Sequence, residues 1–293
     1  MGILSYLYHA KLKIIVSVII FSVSTVSAKP LNIPGSPEGV SLPIDLLNEV
    51  VKRSDIYTSL HHPYGDKGDS TFTKTVYDLN AGVLDLLWTA TSTDYEQSLQ
   101  AIYFPLYRGT LGMRLGIVRQ QRLSLFSQVK DLADLQEFSA CQGKMWADTQ
   151  VLEANGIKVS KSLGYLNIFP MLEADRCDYF PRAIFEPWAE ISREAEYDLK
   201  VEPNIMLRYK MPFFFFVKAG NHQLAEHINA ILFQMFEDGS YQALFNNDVD
   251  VKNALTLGRL ASRTIIDLDN PNVSDKVKAI PEKVWFDPIA GNK

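Results

Sequence analysis

A chain of 293 residues that is 47% hydrophobic and 22% charged carries enough apolar material for one large domain or two lobes, which excludes a disordered protein. Its formal net charge of −5 argues against nucleic acid as a partner, which needs a basic face.

Lys11 and Lys13 precede an apolar run over residues 14–26 that ends in Val26-Ser27-Ala28. A basic start, a short apolar core and small residues before a cut site have the form of a secretory signal peptide. The run is too short to cross a bilayer comfortably. Cleavage after Ala28 would start the mature chain at Lys29, outside the cytoplasm, where the lack of ATP argues against kinases and synthetases.

Strand-like and helix-like stretches then alternate. Residues 31–33 are a strand candidate and Pro34-Gly35-Ser36-Pro37 breaks the chain into a loop. A helix is expected over 42–51, with Leu47 and Val51 one turn apart, a strand over 56–60, and a helix over 71–81 that Gly82 stops. Residues 83–88 are apolar apart from Asp85, as in a strand buried on both faces. The second half continues with strands at 137–141, 157–159 and 177–180, and helices at 145–154, 166–174 and 183–194. Phe213-Phe214-Phe215-Phe216-Val217 can only be a buried strand, because such a run on an exposed edge would aggregate. The clearest helix is 221–237. Asn221 is a suitable N-cap, Leu224, Ile228, Ile231, Leu232 and Met235 share one face, and Gly239 ends it. This alternation implies an α/β protein with parallel-rich sheets.

Catalytic signatures are missing from the sequence: there is no Gly-x-Ser-x-Gly elbow, no His-Glu-x-x-His and no phosphate-cradling glycine loop. His222 and His227, five apart, fall on different helix faces, so no metal and no other cofactor is expected. Cys141 and Cys177 either pair or stay as two buried thiols; pairing would add about 3–4 kcal/mol through loop closure.

Gly82-Val83-Leu84-Asp85, Thr93-Asp94-Tyr95-Glu96, Phe104-Pro105-Leu106-Tyr107, Leu132-Ala133-Asp134-Leu135, Cys141-Gln142-Gly143 and Asp238-Gly239-Ser240-Tyr241 follow one another in an order that resembles a known family. These are the periplasmic solute-binding proteins of ABC-type uptake systems, polar amino-acid type (family three), and this chain is similar to a divergent branch of them. The resemblance implies a two-lobed fold with ligand held between lobes joined by two crossing strands. The signal peptide would occupy 1–28, the first lobe 29–112 and 207–293, and the inserted lobe 113–206, with crossings over 112–118 and 201–209. It also implies a periplasmic protein that is not an enzyme, whose partners are a small-molecule ligand and a membrane permease or sensor protein. The strands ending at Cys141 and starting at Cys177 would be neighbours, which makes a bridge possible.

Ligands of such folds sit at strand C-termini near helix N-termini. Four loops qualify: 34–37, 88–91 with Trp88 and Thr89, 143–146 with Gly143 and Trp146, and 180–182 with Arg182. Arg182 could fork onto a carboxylate or phosphate, or pair with Glu186 one turn later. Trp88 and Trp146 are either flat walls of the cleft or core residues. Arg114 either reaches the cleft from a crossing strand or is solvated. Asp85 reads as an organiser of backbone, and Glu96 and Asp148 as solvated or capping acids. The family's carboxylate-clamping arginine aligns with Glu96, and its ammonium-binding acid aligns near Arg182. The expected ligand is therefore not a standard α-amino acid but an anionic or aromatic small molecule. A signalling or interaction module without transport, and a secreted enzyme, are the other roles this scaffold leaves open.

Overall fold

The computed structural model describes residues 29–67 and 71–290; the expected signal peptide lies outside the described residues. The first run of elements is β1 (Lys29–Asn32), α1 (Leu42–Arg53), β2 (Tyr57–His61), α2 (Phe72–Ala81), β3 (Leu86–Ala90), α3 (Thr93–Ser98) and β4 (Leu99–Ile102). The chain then crosses on β5 (Met113–Arg119) into α4 (Leu132–Leu135), β6 (Ser139–Gly143), α5 (Ala147–Ala154), β7 (Lys158–Ser162), α6 (Ile168–Glu173), β8 (Phe180–Ala183), α7 (Pro187–Arg193) and β9 (Leu199–Val201). It returns on β10 (Ile205–Arg208) to β11 (Phe213–Lys218), α8 (His222–Asp238), α9 (Ser240–Asn247), α10 (Val249–Gly258), β12 (Thr264–Asp267) and α11 (Asp275–Lys278). Among the described residues no helix is long and apolar enough to cross a membrane.

The phenylalanine run is the central strand of the first lobe. β11 lies between β3 and β4, antiparallel to each, and Phe214, Phe215, Phe216 and Val217 are fully buried. Alternate side chains of a strand point to opposite faces, so burial of all four requires cover on both. Each buried phenylalanine contributes about 1.5–3 kcal/mol relative to exposure. Asp85 knits this sheet to the β1–β2 ribbon. Its carboxylate accepts from the Asn32 backbone N–H (2.7 Å) and Nδ2 (2.8 Å), and its own N–H donates to the Asn32 carbonyl (2.9 Å). The reading of Asp85 as a backbone organiser thus has a direct geometric counterpart.

The sheets are mixed. β1–β2, β6–β7 and β10–β12 pair in parallel, whereas β5 runs antiparallel to β8, β9 and β10. The antiparallel pairs arise where the chain crosses out and back. At that crossing Tyr209 N–H donates to the Gly112 carbonyl (3.1 Å). A Cβ on Gly112 would stand 1.9 Å from the Tyr209 carbonyl oxygen, so only glycine allows the two crossings to lie this close.

Local chemistry moves several boundaries. Val83 and Leu84 N–H groups finish α2 on the Asp78 carbonyl, so the next strand starts at Leu86 instead of Val83. Gly143 to Trp146 form a turn, Trp146 N–H to Gly143 carbonyl at 3.0 Å, and delay α5 to Ala147. The strand expected over 177–180 is instead Phe180–Ala183, which places Arg182 inside a strand, opposite Leu115, not in a loop. Glu186 N–H closes a turn on Ala183, and Pro187 opens the following helix at a position where its missing N–H costs nothing.

Candidate ligand cleft

Strands β6 and β8 carry the second-lobe side of the site. Cys141 and Cys177 are joined as a disulfide with Cα atoms 5.4 Å apart, and Cys141 N–H donates to the Tyr179 carbonyl (2.8 Å). Beyond Cys141, Gly143 is buried under the indole of Trp146; a Cβ there would lie 2.5 Å from the ring. The lack of a side chain at Gly143 is what admits the indole. Trp146 is half-buried and stacks near-parallel on Phe180, centroids 6.2 Å apart. The Arg182 guanidinium sits 5.1 Å from the Trp146 ring and 5.0 Å from that of Phe180, within cation–π range of both.

Arg182 is held by two carboxylates. Its Nε donates to both oxygens of Glu190 (3.0 and 2.9 Å), and its Nη2 donates to Glu190 (2.7 Å) and Glu186 (2.6 Å). Glu190 is 5% exposed and also accepts from the Tyr165 hydroxyl (2.6 Å). Burial raises the Tyr165 hydroxyl to about 12, with the Glu190 bond and charge adding to it. Glu186 differs. Its side chain is 36% exposed, and its second oxygen accepts from Ala183 N–H (2.7 Å). Burial raises its carboxyl above the ordinary range; the Arg182 and Arg114 charges pull it back only in part, and Glu190 pushes it further up.

Arg114, on the crossing strand β5, is buried and not solvated, because β8 and β10 flank it. Its Nη2 lies 2.7 Å from Asp148, its Nε donates to the Tyr209 hydroxyl (2.8 Å), and Met211 Sδ accepts at 3.0 Å. The Tyr209 hydroxyl donates in turn to Asp148. Asp148, 8% exposed, is thus the buried partner of Arg114 and not a solvated or capping acid. Burial alone would lower Arg114; the Asp148, Tyr209 and Glu186 groups outweigh it and hold the guanidinium above its usual value.

On the first-lobe side, Trp88 and Thr89 lie on β3, half-buried, opposite Phe215 and Phe214. Trp88 meets Phe215 edge-on at 6.1 Å and so packs partly into the first core. Glu96 is not solvated either: it accepts from the hydroxyls of Thr91 (2.8 Å), Tyr103 (3.0 Å) and Ser274 (2.5 Å). The lobes meet where Ile184, Phe185 and Trp188 pack against the first core, with Phe185 and Tyr107 centroids 5.6 Å apart. The structure therefore brings Gly143, Trp146, Arg182 and Arg114 into one neighbourhood through Glu186. Among the described residues no hydrogen bond or ring contact joins that group to Trp88 or Thr89.

Sequence reasoning missed Glu190, Tyr165 and Tyr209. Glu190 repeats the four-residue step from Arg182 to Glu186, and that ladder of charges was the available signal. A cavity of about 630 Å³ lies between the crossings and the C-terminal segment, walled by Met113, Tyr209, Lys210, Leu268, Val273 and Trp285. Lys210 Nζ stands 5.0 Å from the Trp285 ring and 2.7 Å from Glu282. Among the described residues no cluster of three ligating side chains could hold a metal.

Solved structures share this architecture, two of them from Bacillus subtilis. The probable amino-acid ABC transporter extracellular-binding protein YtmK of Bacillus subtilis is 14% identical over 76% of this chain and 98% of that one, with a TM-score of 0.52. YckB of Bacillus subtilis is 16% identical over 77% of this chain and 92% of that one, with a TM-score of 0.51. No family model and no curated protein matches the sequence. The chain has the two-lobed α/β fold of these two structures.

Proposed function

We propose that the chain captures a small anionic solute between its lobes outside the cytoplasm, and passes it to a membrane permease or reports it to a sensor protein. The observation that carries this reading is the unequal hold of two carboxylates on Arg182. Glu190 is buried and fixed by both Arg182 and the Tyr165 hydroxyl, whereas Glu186 has the more exposed side chain and its carboxyl is raised by the burial it does have. A carboxylate or phosphate of the solute takes the place of Glu186 on Nη2, and the Trp146 indole walls the solute on one side. Trp88 and Thr89 supply the contact from the first lobe, so that a solute bridging both lobes, once it has entered, stabilises their closed arrangement. The exchange of Arg182 and Glu96 for the family's acid and arginine supports a ligand other than a standard α-amino acid. The description of YtmK as a probable amino-acid ABC transporter extracellular-binding protein supports the capture step. Glu96 and Asp148 are taken up by hydroxyls and by Arg114, so neither is offered as a catalytic group.

The test is a thermal-shift screen of anionic metabolites, followed by calorimetry of the best solute across pH. Protonation of Glu186 frees Arg182, so affinity should rise as pH falls from 8 to 5. Glu186→Gln should bind about tenfold tighter at pH 8 and lose the pH dependence, as expected when a charged competitor worth about 1.4 kcal/mol is removed. Equal binding by Arg182→Ala would sink the reading.

A further inference from the structure

We infer that residues 268–280 form a strap that holds the lobes closed before any solute arrives, so that solute entry requires its release. The inference rests on the capture reading, because a strap across the cleft regulates only what the cleft admits. Asn272 touches both lobes at once: its carbonyl accepts from the Thr93 hydroxyl of α3 (3.2 Å), and its Nδ2 donates to Gln150 Oε1 of α5 (2.7 Å). Three residues earlier, Asp269 exchanges two bonds with Asn155 at the end of α5: its N–H donates to Oδ1 (2.9 Å) and its carbonyl accepts from Nδ2 (2.7 Å). Two residues later, the Ser274 hydroxyl donates to Glu96 of α3 (2.5 Å) while capping α11 at Val277 N–H (3.2 Å). The segment thus leaves the second lobe, crosses the gap and docks on the first.

Its two ends differ from its middle. Upstream, β12 pairs with β10, and Ile266 and Leu268 enter the second core. Downstream, Val277 and Ile280 are buried in the first core. Between these apolar anchors every tie to α3 and α5 is a hydrogen bond at a partly or fully exposed position. One partly buried side chain of the middle, Val273, also packs against the first core. The buried anchors stay put while the middle, held mainly by exposed hydrogen bonds that exchange readily with water, opens and recloses. The Glu96 that stands at the family's clamp position is occupied by the strap itself, which joins the strap's state to the state of the cleft.

Gln150→Ala/Asn155→Ala cuts the ties to the second lobe without touching Arg182, Glu186, Trp146 or Arg114. Nitroxides on Tyr77→Cys and Leu163→Cys, 71% and 85% exposed and one on each lobe, report the distance between lobes. The native cysteines are bonded to each other, so only the introduced thiols are labelled. Measured without solute, the parent should give one narrow distance. The double variant should add a longer one, its share rising about tenfold for the loss of three bonds at about twofold each. Ser274→Ala, which cuts the tie to Glu96, should add the same longer distance. An unchanged melting profile confirms that each variant is folded, and any variant that melts early is replaced by Asn155→Ala alone. The same narrow distance in the folded variants, or a broad long distance in the parent, would overturn the strap. Because no solute is present, that failure leaves the capture reading standing; failure of capture shows separately, as a screen in which no anion raises the melting temperature.

Discussion

Arg263→Ala removes the pin that fastens the C-terminal segment to the returning crossing. Arg263 Nη1 donates to the carbonyls of Glu202 (2.6 Å) and Ile205 (2.9 Å) and to Glu202 Oε1 (3.0 Å), and its Nε donates to the Gly258 carbonyl (2.7 Å). Glu202 is fully buried, and its carboxylate also accepts from the N–H groups of Asn204 (2.7 Å) and Ile205 (3.1 Å). The substitution leaves that carboxylate without its cation, which costs about 3–5 kcal/mol, whereas the matched change Glu202→Gln with Arg263→Met should cost far less. At about 2–4 °C per kcal/mol for a chain of this size, the single variant should melt at least 6 °C lower. The pH dependence follows from Glu202. Burial raises its carboxyl above the ordinary 4.5, and the Asn204 N–H and Arg263 pull it back only in part. A carboxyl raised by folding contributes stability that is fully present below 4.5 and is lost as pH rises through its folded value. Without Arg263 that folded value climbs further, so the deficit of the variant against the parent should be smaller at pH 5 than at pH 8. Paired melts at the two pH values measure it. A deficit under about 1 kcal/mol, or one equal at both pH values, would refute the reasoning.

Two further outcomes are expected. Replacing both cysteines by serine opens a loop with a sequence separation of 36 and should cost about 4 kcal/mol by loop entropy, read as a lower denaturation midpoint that added reductant does not lower further. Gly112→Ala should force the crossings apart, since its Cβ meets the Tyr209 carbonyl at 1.9 Å; a loss of about 3 kcal/mol or more is expected in urea unfolding, and an unchanged midpoint would show that the crossings can shift freely.

The phenylalanine run shows what was legible in the sequence. Its composition alone demands burial on both faces, and β11 is the central strand of its sheet. The Asn221 cap and Gly239 stop likewise set the ends of α8, because short-range backbone chemistry decides them. The site was less legible. Arg182, Trp146 and Arg114 were singled out, but their partners are set by which strands lie side by side. Tyr209 meets Asp148 across 61 residues of sequence, and the Ser274 tie to Glu96 spans 178. No local pattern encodes such contacts. Asp148 and Glu96 read as solvated acids for that reason: their cover arrives from distant segments.

The account is tested most directly by a crystal structure of the chain with the solute that raises its melting temperature most. The predicted result is an anionic group of the solute within hydrogen-bond reach of Arg182 Nη2, in the place Glu186 now fills, with Trp146 along one side. Solute seated instead in the cavity between Lys210 and Trp285, with Glu186 still bound to Arg182, would contradict it.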